Sequence, residues 1–168
     1  LRVLYVTLGE YKTDWQPVIY AIAIATLLVG SLLAITQSDL KRMLAYSSIS
    51  HAGYLLVGTQ AASDQGVAAV LFYLATYTFM VIGSFTVISL TSGATGTDTD
   101  LESITGLANK KPLIAVAFTV FLLGQAGIPL TSGFFAKFYV IEAAIEEGSF
   151  GLAIMAMLAA VIGAFLYL

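Results

Sequence analysis

The 168 residues contain no cysteine, a single histidine, a single tryptophan and three prolines. Without thiolates this stretch can hold no disulfide framework, no thiolate metal site and no ligands for an iron–sulfur cluster, so any electron carrier belongs to another chain. Charge is scarce as well: 10% of the residues are Asp, Glu, Lys or Arg, against about 25% in soluble domains. The seven basic residues lie scattered or in pairs and the net charge is −3, which leaves no basic stripe for a nucleic-acid partner. Arg2 and Arg42 are the only arginines, so the regular arginine series of a voltage sensor is missing too.

What fills the chain instead is apolar: 59% of it is hydrophobic, with a mean hydropathy of +0.93. A water-soluble fold could not hide that much apolar surface, and the lipid bilayer is the expected solvent. A spanning helix needs about 20 mostly apolar residues, and five candidate spans meet this. They run from Pro17 to Thr36, from Asp39 to Ala62, from Val67 to Thr91, from Pro112 onward, and from Phe150 to Leu168. Pro17 suits a helix start, where its missing N–H is not needed. A loop rich in Gly, Thr and Asp, Ser92 to Lys111, separates the third and fourth spans, and Leu101-Glu102-Ser103-Ile104 within it suits one amphipathic turn. The expected fold is therefore all-α, a polytopic transmembrane bundle. Residues 1–168 read as a fragment of one membrane domain: Leu1 to Leu8 resemble the end of an apolar helix, no signal-peptide pattern is present, and the last residues have no polar stop.

Counting basic residues on alternate sides of five spans puts Lys41, Arg42, Lys110 and Lys111 together. The opposite side carries Lys12 with Glu10, Asp14, Asp64, Glu146 and Glu147. By the positive-inside rule the first side is cytoplasmic.

Two spans carry polar chemistry. In the second, Ser47, Ser50, His51 and Tyr54 recur at i, i+3, i+4 and i+7 and so share one face. That face must look into protein or water. His51 lies roughly 15 Å along the helix from Lys41, near mid-membrane if Lys41 marks the boundary, and an imidazole there can exchange protons near neutral pH. The plainer alternative is that these side chains only tie helices together by hydrogen bonds. Lys41, beside Arg42 at a helix start, reads by residue type as an interfacial anchor.

The fourth span is too long. Pro112 to Glu147 would make a continuous helix of about 54 Å at about 1.5 Å per residue, against a hydrocarbon core of about 30 Å. A break is expected at Gly124-Gln125-Ala126-Gly127-Ile128-Pro129-Leu130-Thr131-Ser132-Gly133, giving half-helices over Pro112 to Gln125 and Phe134 to Glu147. Lys137 then sits about 14 Å inside the membrane. A lysine at such depth costs about 2.5–3.5 kcal/mol on the most lenient measure and faces a bundle interior or an ion path. A static ion pair, or a side chain stretched along Phe138 and Ile141 to the headgroups, are the competing readings. Glu142 lies nearer the surface and on a different face.

The run Thr36-Gln37-Ser38-Asp39-Leu40-Lys41-Arg42-Met43-Leu44-Ala45-Tyr46-Ser47-Ser48-Ile49-Ser50-His51-Ala52-Gly53-Tyr54 resembles the signature of the antiporter-like membrane subunits of respiratory complex I. Ala126-Gly127-Ile128-Pro129-Leu130-Thr131-Ser132-Gly133-Phe134-Phe135-Ala136-Lys137-Phe138-Tyr139 is similar to that family's broken twelfth helix with its central lysine. The spacing of the two fits, and the resemblance extends over essentially the whole chain. Within the family it is strongest to the N-type subunits of NADH-quinone oxidoreductase.

The resemblance implies a translocase role, in which quinone reduction elsewhere in the complex drives proton transfer through Lys137, His51, Lys41 and Tyr46. It implies no cofactor on this chain, with NADH, flavin, iron–sulfur clusters and quinone on partner subunits. The implied partners are other membrane and peripheral subunits of complex I, in a bacterial plasma membrane. The family's earlier half, with an intramembrane glutamate and another broken helix, is not in this sequence. Mrp-type sodium/proton antiporter subunits and membrane-bound hydrogenase subunits share both signatures, so these two sister functions stay open. So does a scaffold whose buried polar groups only hold helices together. The tyrosines and phenylalanines read as helix packing and not as a quinone pocket.

Overall fold

The computed structural model describes residues 1–92 and 100–167. After a wound segment at Val3–Thr7 and Gly9–Tyr11, the chain forms α1 (Lys12–Ile35), α2 (Leu40–Gln60), α3 (Asp64–Thr91), the short α4 (Leu107–Lys110), α5 (Pro112–Ala126), α6 (Ser132–Glu146) and α7 (Phe150–Tyr167). Among the described residues no strand forms beyond an isolated bridge between Asp39 and Asp100. The first part of the expected surface loop, residues 93–99, lies outside the described residues. Its second part is a 3-10 turn at Leu101–Ile104 followed by α4, so the amphipathic turn is where the sequence indicates.

The first span differs from expectation. The helix begins at Lys12, five residues before Pro17, which therefore lies inside it. The proline removes one N–H from the ladder, and the polar turn ahead of it is held from outside. Lys12 Nζ donates to the Ala62 carbonyl at 3.3 Å and Gln16 Nε2 to the Gln60 carbonyl at 2.8 Å, so this turn closes the exposed carbonyl end of α2. The third span likewise starts earlier, at Asp64, because Ser63 caps it: its hydroxyl accepts from the Gly66 N–H. Asp39 caps α2 in the same way through the Arg42 N–H at 2.8 Å.

Among the described residues, three helices are long and apolar enough to cross a membrane, Gly9–Ile35, Asp64–Thr91 and Phe150–Tyr167. Helix α2 is diluted by its polar face, and the fourth span is divided between α5 and α6. The packing is that of a protein in lipid. Large apolar side chains such as Phe79, Ile82, Leu113, Val161 and Phe165 are exposed, while Ser31, Ser50, His51, Ser84, Gln125 and Lys137 are buried. In water that arrangement would be inside out; in hydrocarbon it leaves polar groups paired within the bundle. The core between α1, α2, α3, α6 and α7 is built on small residues, Ala23, Ala69, Ala136, Ala144, Ala156 and Ala159, which let helices approach closely.

A second cluster of Leu40, Met43, Leu44, Val87, Ile88 and Phe118 closes one end, with Ile104 and Leu107 packed on it. The Leu101 N–H donates to the Ser38 carbonyl at 3.1 Å. The turn between α1 and α2 therefore lies beside the loop leading to α4, and both basic pairs sit at one end of the bundle. Lys12 pairs with Glu147 at 3.8 Å at the other end.

Candidate functional site

The break in the fourth span has a defined construction. Gly127 ends α5 in the left-handed region at φ 79°. Its N–H bonds to the Gly124 carbonyl at 3.0 Å and that of Ile128 to Leu123 at 3.2 Å, the paired bonds of a Schellman ending. Pro129 and Leu130 then make a turn closed by the Thr131 N–H on the Ile128 carbonyl at 3.1 Å. Leu130, at φ 77°, holds a position that favours glycine, so strain is stored at the break. Thr131 caps α6 by accepting from the Phe134 N–H. The half-helices approach so closely that a Cβ on Gly133 would run into the Gly124 carbonyl.

The Schellman bonds use the carbonyls of Leu123 and Gly124 and leave those of Gln125 and Ala126 for Lys137. Its Nζ donates to Gln125 O at 2.9 Å and to Ala126 O at 2.8 Å. The ammonium thus rests on the negative end of the α5 dipole and lies 5.3 Å from the Tyr54 ring centroid, within cation–π range. Lys137 is 7% exposed, and among the described residues no carboxylate lies within ion-pair distance of it. Among the described residues, then, the lysine has no ion-pair partner, and its side chain turns back onto the break instead of running along Phe138 and Ile141.

The polar face of α2 meets this lysine. Ser31, Ser47, Ser50, His51, Tyr54, Gln125, Lys137 and Tyr167 surround a cavity of about 10 Å³, at the threshold for one water. Ser50 shares a hydrogen bond with Ser31 of α1 at 2.8 Å. The Tyr54 hydroxyl donates to the Ala156 carbonyl of α7 at 2.9 Å, and Ser47 pairs with the Tyr167 hydroxyl. His51 Nδ1 is 2.7 Å from the Tyr73 hydroxyl, and its ring stacks on Tyr77 at 4.4 Å between centroids. The Tyr77 hydroxyl donates to Ser48 at 2.7 Å. On the other side of the cavity, Tyr167 donates to Gln125 Oε1 at 3.2 Å and Gln125 Nε2 donates to Ser84 of α3 at 2.7 Å.

Of the four residues singled out in the sequence, Lys137 and His51 come together at this cavity. Tyr46 does not; it lines an open groove with Gln37, Arg42, Ala45 and Ile49, roughly 140° around α2 from His51 at about 100° per residue. Lys41 is half-buried in the first turn of α2 and takes part in further contacts there. Glu142 faces a separate groove with Gln65, Ala68 and Tyr139. The sequence did not single out Tyr73, Tyr77, Ser84 or Tyr167, and it marked Gln125 only as part of the break. Tyr73 and Tyr77 are packing residues, as their aromatic character indicates, that also enclose and hydrogen-bond the histidine. The one available signal for Gln125 is an amide in an otherwise apolar stretch at membrane depth.

A helical bundle with apolar side chains outward and a buried lysine resting on the break of a divided helix defines a polytopic membrane protein. Residues 1–163 match the family described as NADH:quinone oxidoreductase/Mrp antiporter, TM, and the chain belongs to that family. It is 49% identical over its whole length to NADH-quinone oxidoreductase subunit N 3 of Streptomyces griseus, covering 30% of that protein. It is 46% identical over 99% of its length to subunit N of Rhodococcus opacus, covering 31%. The chain thus spans about a third of the length of these curated relatives.

Among solved structures, a chain of the Mrp complex from a Dietzia species superposes with a TM-score of 0.91 at 30% identity, over 99% of this chain and 31% of that one. A chain of respiratory complex I from Thermus thermophilus, solved with bound aureothin, gives 0.78 at 30% identity, over 90% and 34%.

Proposed function

We propose that this chain forms part of the proton-translocating membrane subunit N of an NADH-quinone oxidoreductase, with Lys137 as the group that takes up and releases the proton. The observation carrying this reading is an ammonium buried at membrane depth, held by two free carbonyls and by no carboxylate among the described residues. Two carbonyl dipoles face the charge without the full countercharge that a carboxylate would supply. His51 is the next station, across a cavity with room for about one bridging water. The resemblance adds Lys41 and Tyr46 at the basic end of α2. Reduction of quinone by NADH, with flavin and iron–sulfur clusters, is assigned to partner subunits. In this reading the complex lies in a bacterial plasma membrane with Lys41, Arg42, Lys110 and Lys111 on the cytoplasmic side.

The curated relatives favour subunit N over the alternative, at 49% and 46% identity, while the solved complex I and Mrp chains are equally distant at 30%. The high TM-score to that Mrp chain is the observation that keeps sodium/proton exchange as a second reading. One experiment separates them: membrane vesicles carrying the full-length protein with Lys137→Ala, after normal assembly of the complex has been verified. Loss of both NADH-driven quinone reduction and proton uptake supports the leading reading. Normal rates of both would overturn it. Gradient-driven sodium/proton exchange without NADH-dependent pumping in the unsubstituted vesicles would favour the antiporter.

A further inference from the structure

The Gln125 side chain is 1% exposed, and the mechanism above does not use it. It sits in the last turn of α5 and joins three other helices. Its amide nitrogen donates to Ser84 of α3 and its carbonyl oxygen accepts from Tyr167 of α7, while its own backbone carbonyl receives Lys137 of α6. The last turn of a helix frays easily, because its carbonyls lack intrahelical partners. Here the last turn must present two carbonyls to an ammonium in fixed positions, and the Gln125 side chain is what anchors it laterally. The anchor is also neutral. A carboxylate of the same shape could make similar hydrogen bonds, but it would put a full negative charge on the wall of the cavity shared with Lys137.

We propose that Gln125 is a positioning residue for Lys137: a neutral clamp that holds the end of α5, and so the two carbonyls under the ammonium, without supplying a countercharge that would retain the proton. The hydroxyls of Ser84 and Tyr167 are its two fixed points. A shift of α3 or α7 reaches the lysine through this amide.

The inference rests on the proton-carrying reading of Lys137, and its test keeps the two apart. In vesicles carrying the full-length protein in its assembled complex, the rate of NADH-driven proton uptake and the KM for quinone are measured for Gln125→Glu, Gln125→Met and Lys137→Ala. The Glu variant is expected to pump about tenfold more slowly, the size of a charge-assisted interaction. The Met variant, which loses only neutral hydrogen bonds, is expected to be about threefold slower. KM for quinone stays unchanged in both. A residue that merely glued helices together would give the reverse order, because Glu retains the shape and the hydrogen-bonding groups and Met does not. Native rates in both Gln125 variants, or Met slower than Glu, with Lys137→Ala inactive, would overturn the clamp and leave the lysine's role standing. Normal pumping in Lys137→Ala would overturn the reading beneath it. Should either Gln125 variant fail to assemble, Tyr167→Phe, which removes one hydroxyl, is expected to lower the rate about threefold at constant KM. A native rate there would overturn the clamp.

Discussion

Lys137 and His51 differ in what surrounds them, and that difference predicts different tolerances. The lysine contacts the end of α5 directly, and no other described side chain on the cavity wall is an amine. The histidine shares its surroundings with Tyr54, Tyr73, Tyr77 and several serines, so hydroxyls or a water can bridge part of a gap left by its removal. Under the proposed function, His51→Gln is expected to slow proton uptake less than Lys137→Ala, read from initial rates in the same vesicle preparation. Equal rates would contradict a relay centred on the lysine. Tyr73→Phe keeps the ring and removes the hydroxyl that meets His51 Nδ1. Its stability cost is expected to be about 0.6 kcal/mol, the average for such bonds within membranes, visible as a small fall in the thermal midpoint of the purified complex. Tyr46→Phe, on the opposite side of α2, is expected to change the rate less than either Lys137→Ala or His51→Gln.

The broken span shows how an irregular backbone survives in lipid. Three devices secure it: the Schellman ending at Gly127, the Thr131 cap and the close approach of Gly124 to Gly133. Lys137 fills the two carbonyls that these devices leave. At Gly133 the neighbouring atoms are backbone, which cannot rotate away as a side chain would. Gly133→Ala is therefore expected to cost about 1–3 kcal/mol, the range of overpacking. The check is a lowered melting temperature, or a lowered yield of assembled complex, relative to Gly163→Ala, where a Cβ meets nothing within 4 Å. Equal stability of the two variants would mean that the half-helices do not depend on this contact.

The bundle has two chemically distinct ends, and their contacts show which loops share a side. Ser38 meets Leu101 at the basic end, and Lys12 meets Ala62 and Glu147 at the other. In the proposed topology the end with the excess of Lys and Arg faces the cytoplasm. Since this stretch has no cysteine of its own, single cysteines report on it directly. A membrane-impermeant maleimide is expected to label Asn109→Cys only from the cytoplasmic side and Asp64→Cys only from the outer side. The opposite pattern would invert the proposed topology. The Lys12 pair with Glu147 is partly exposed, so Lys12→Met is expected to change stability by less than about 1 kcal/mol.

The periodicity of α2, the excess length of the fourth span and the depth of Lys137 are local properties, written in the spacing of residues along one chain. They determined the class of fold, the broken helix to within about two residues at each half-helix end, and the burial of the Ser47, Ser50, His51 and Tyr54 face. Helix starts at Lys12 and Asp64 were not legible in the same way. The start at Asp64 depends on the Ser63 cap, and the turn at Lys12 is held by side-chain bonds to carbonyls at the end of a different helix. The same limit applied to the partners of the site. That His51 would meet Tyr73 and that Gln125 would join Ser84 to Tyr167 required knowing which helix faces pack together. Those choices rest on small-residue contacts between distant segments and on the pairing of buried polar groups, neither of which leaves a period in the sequence.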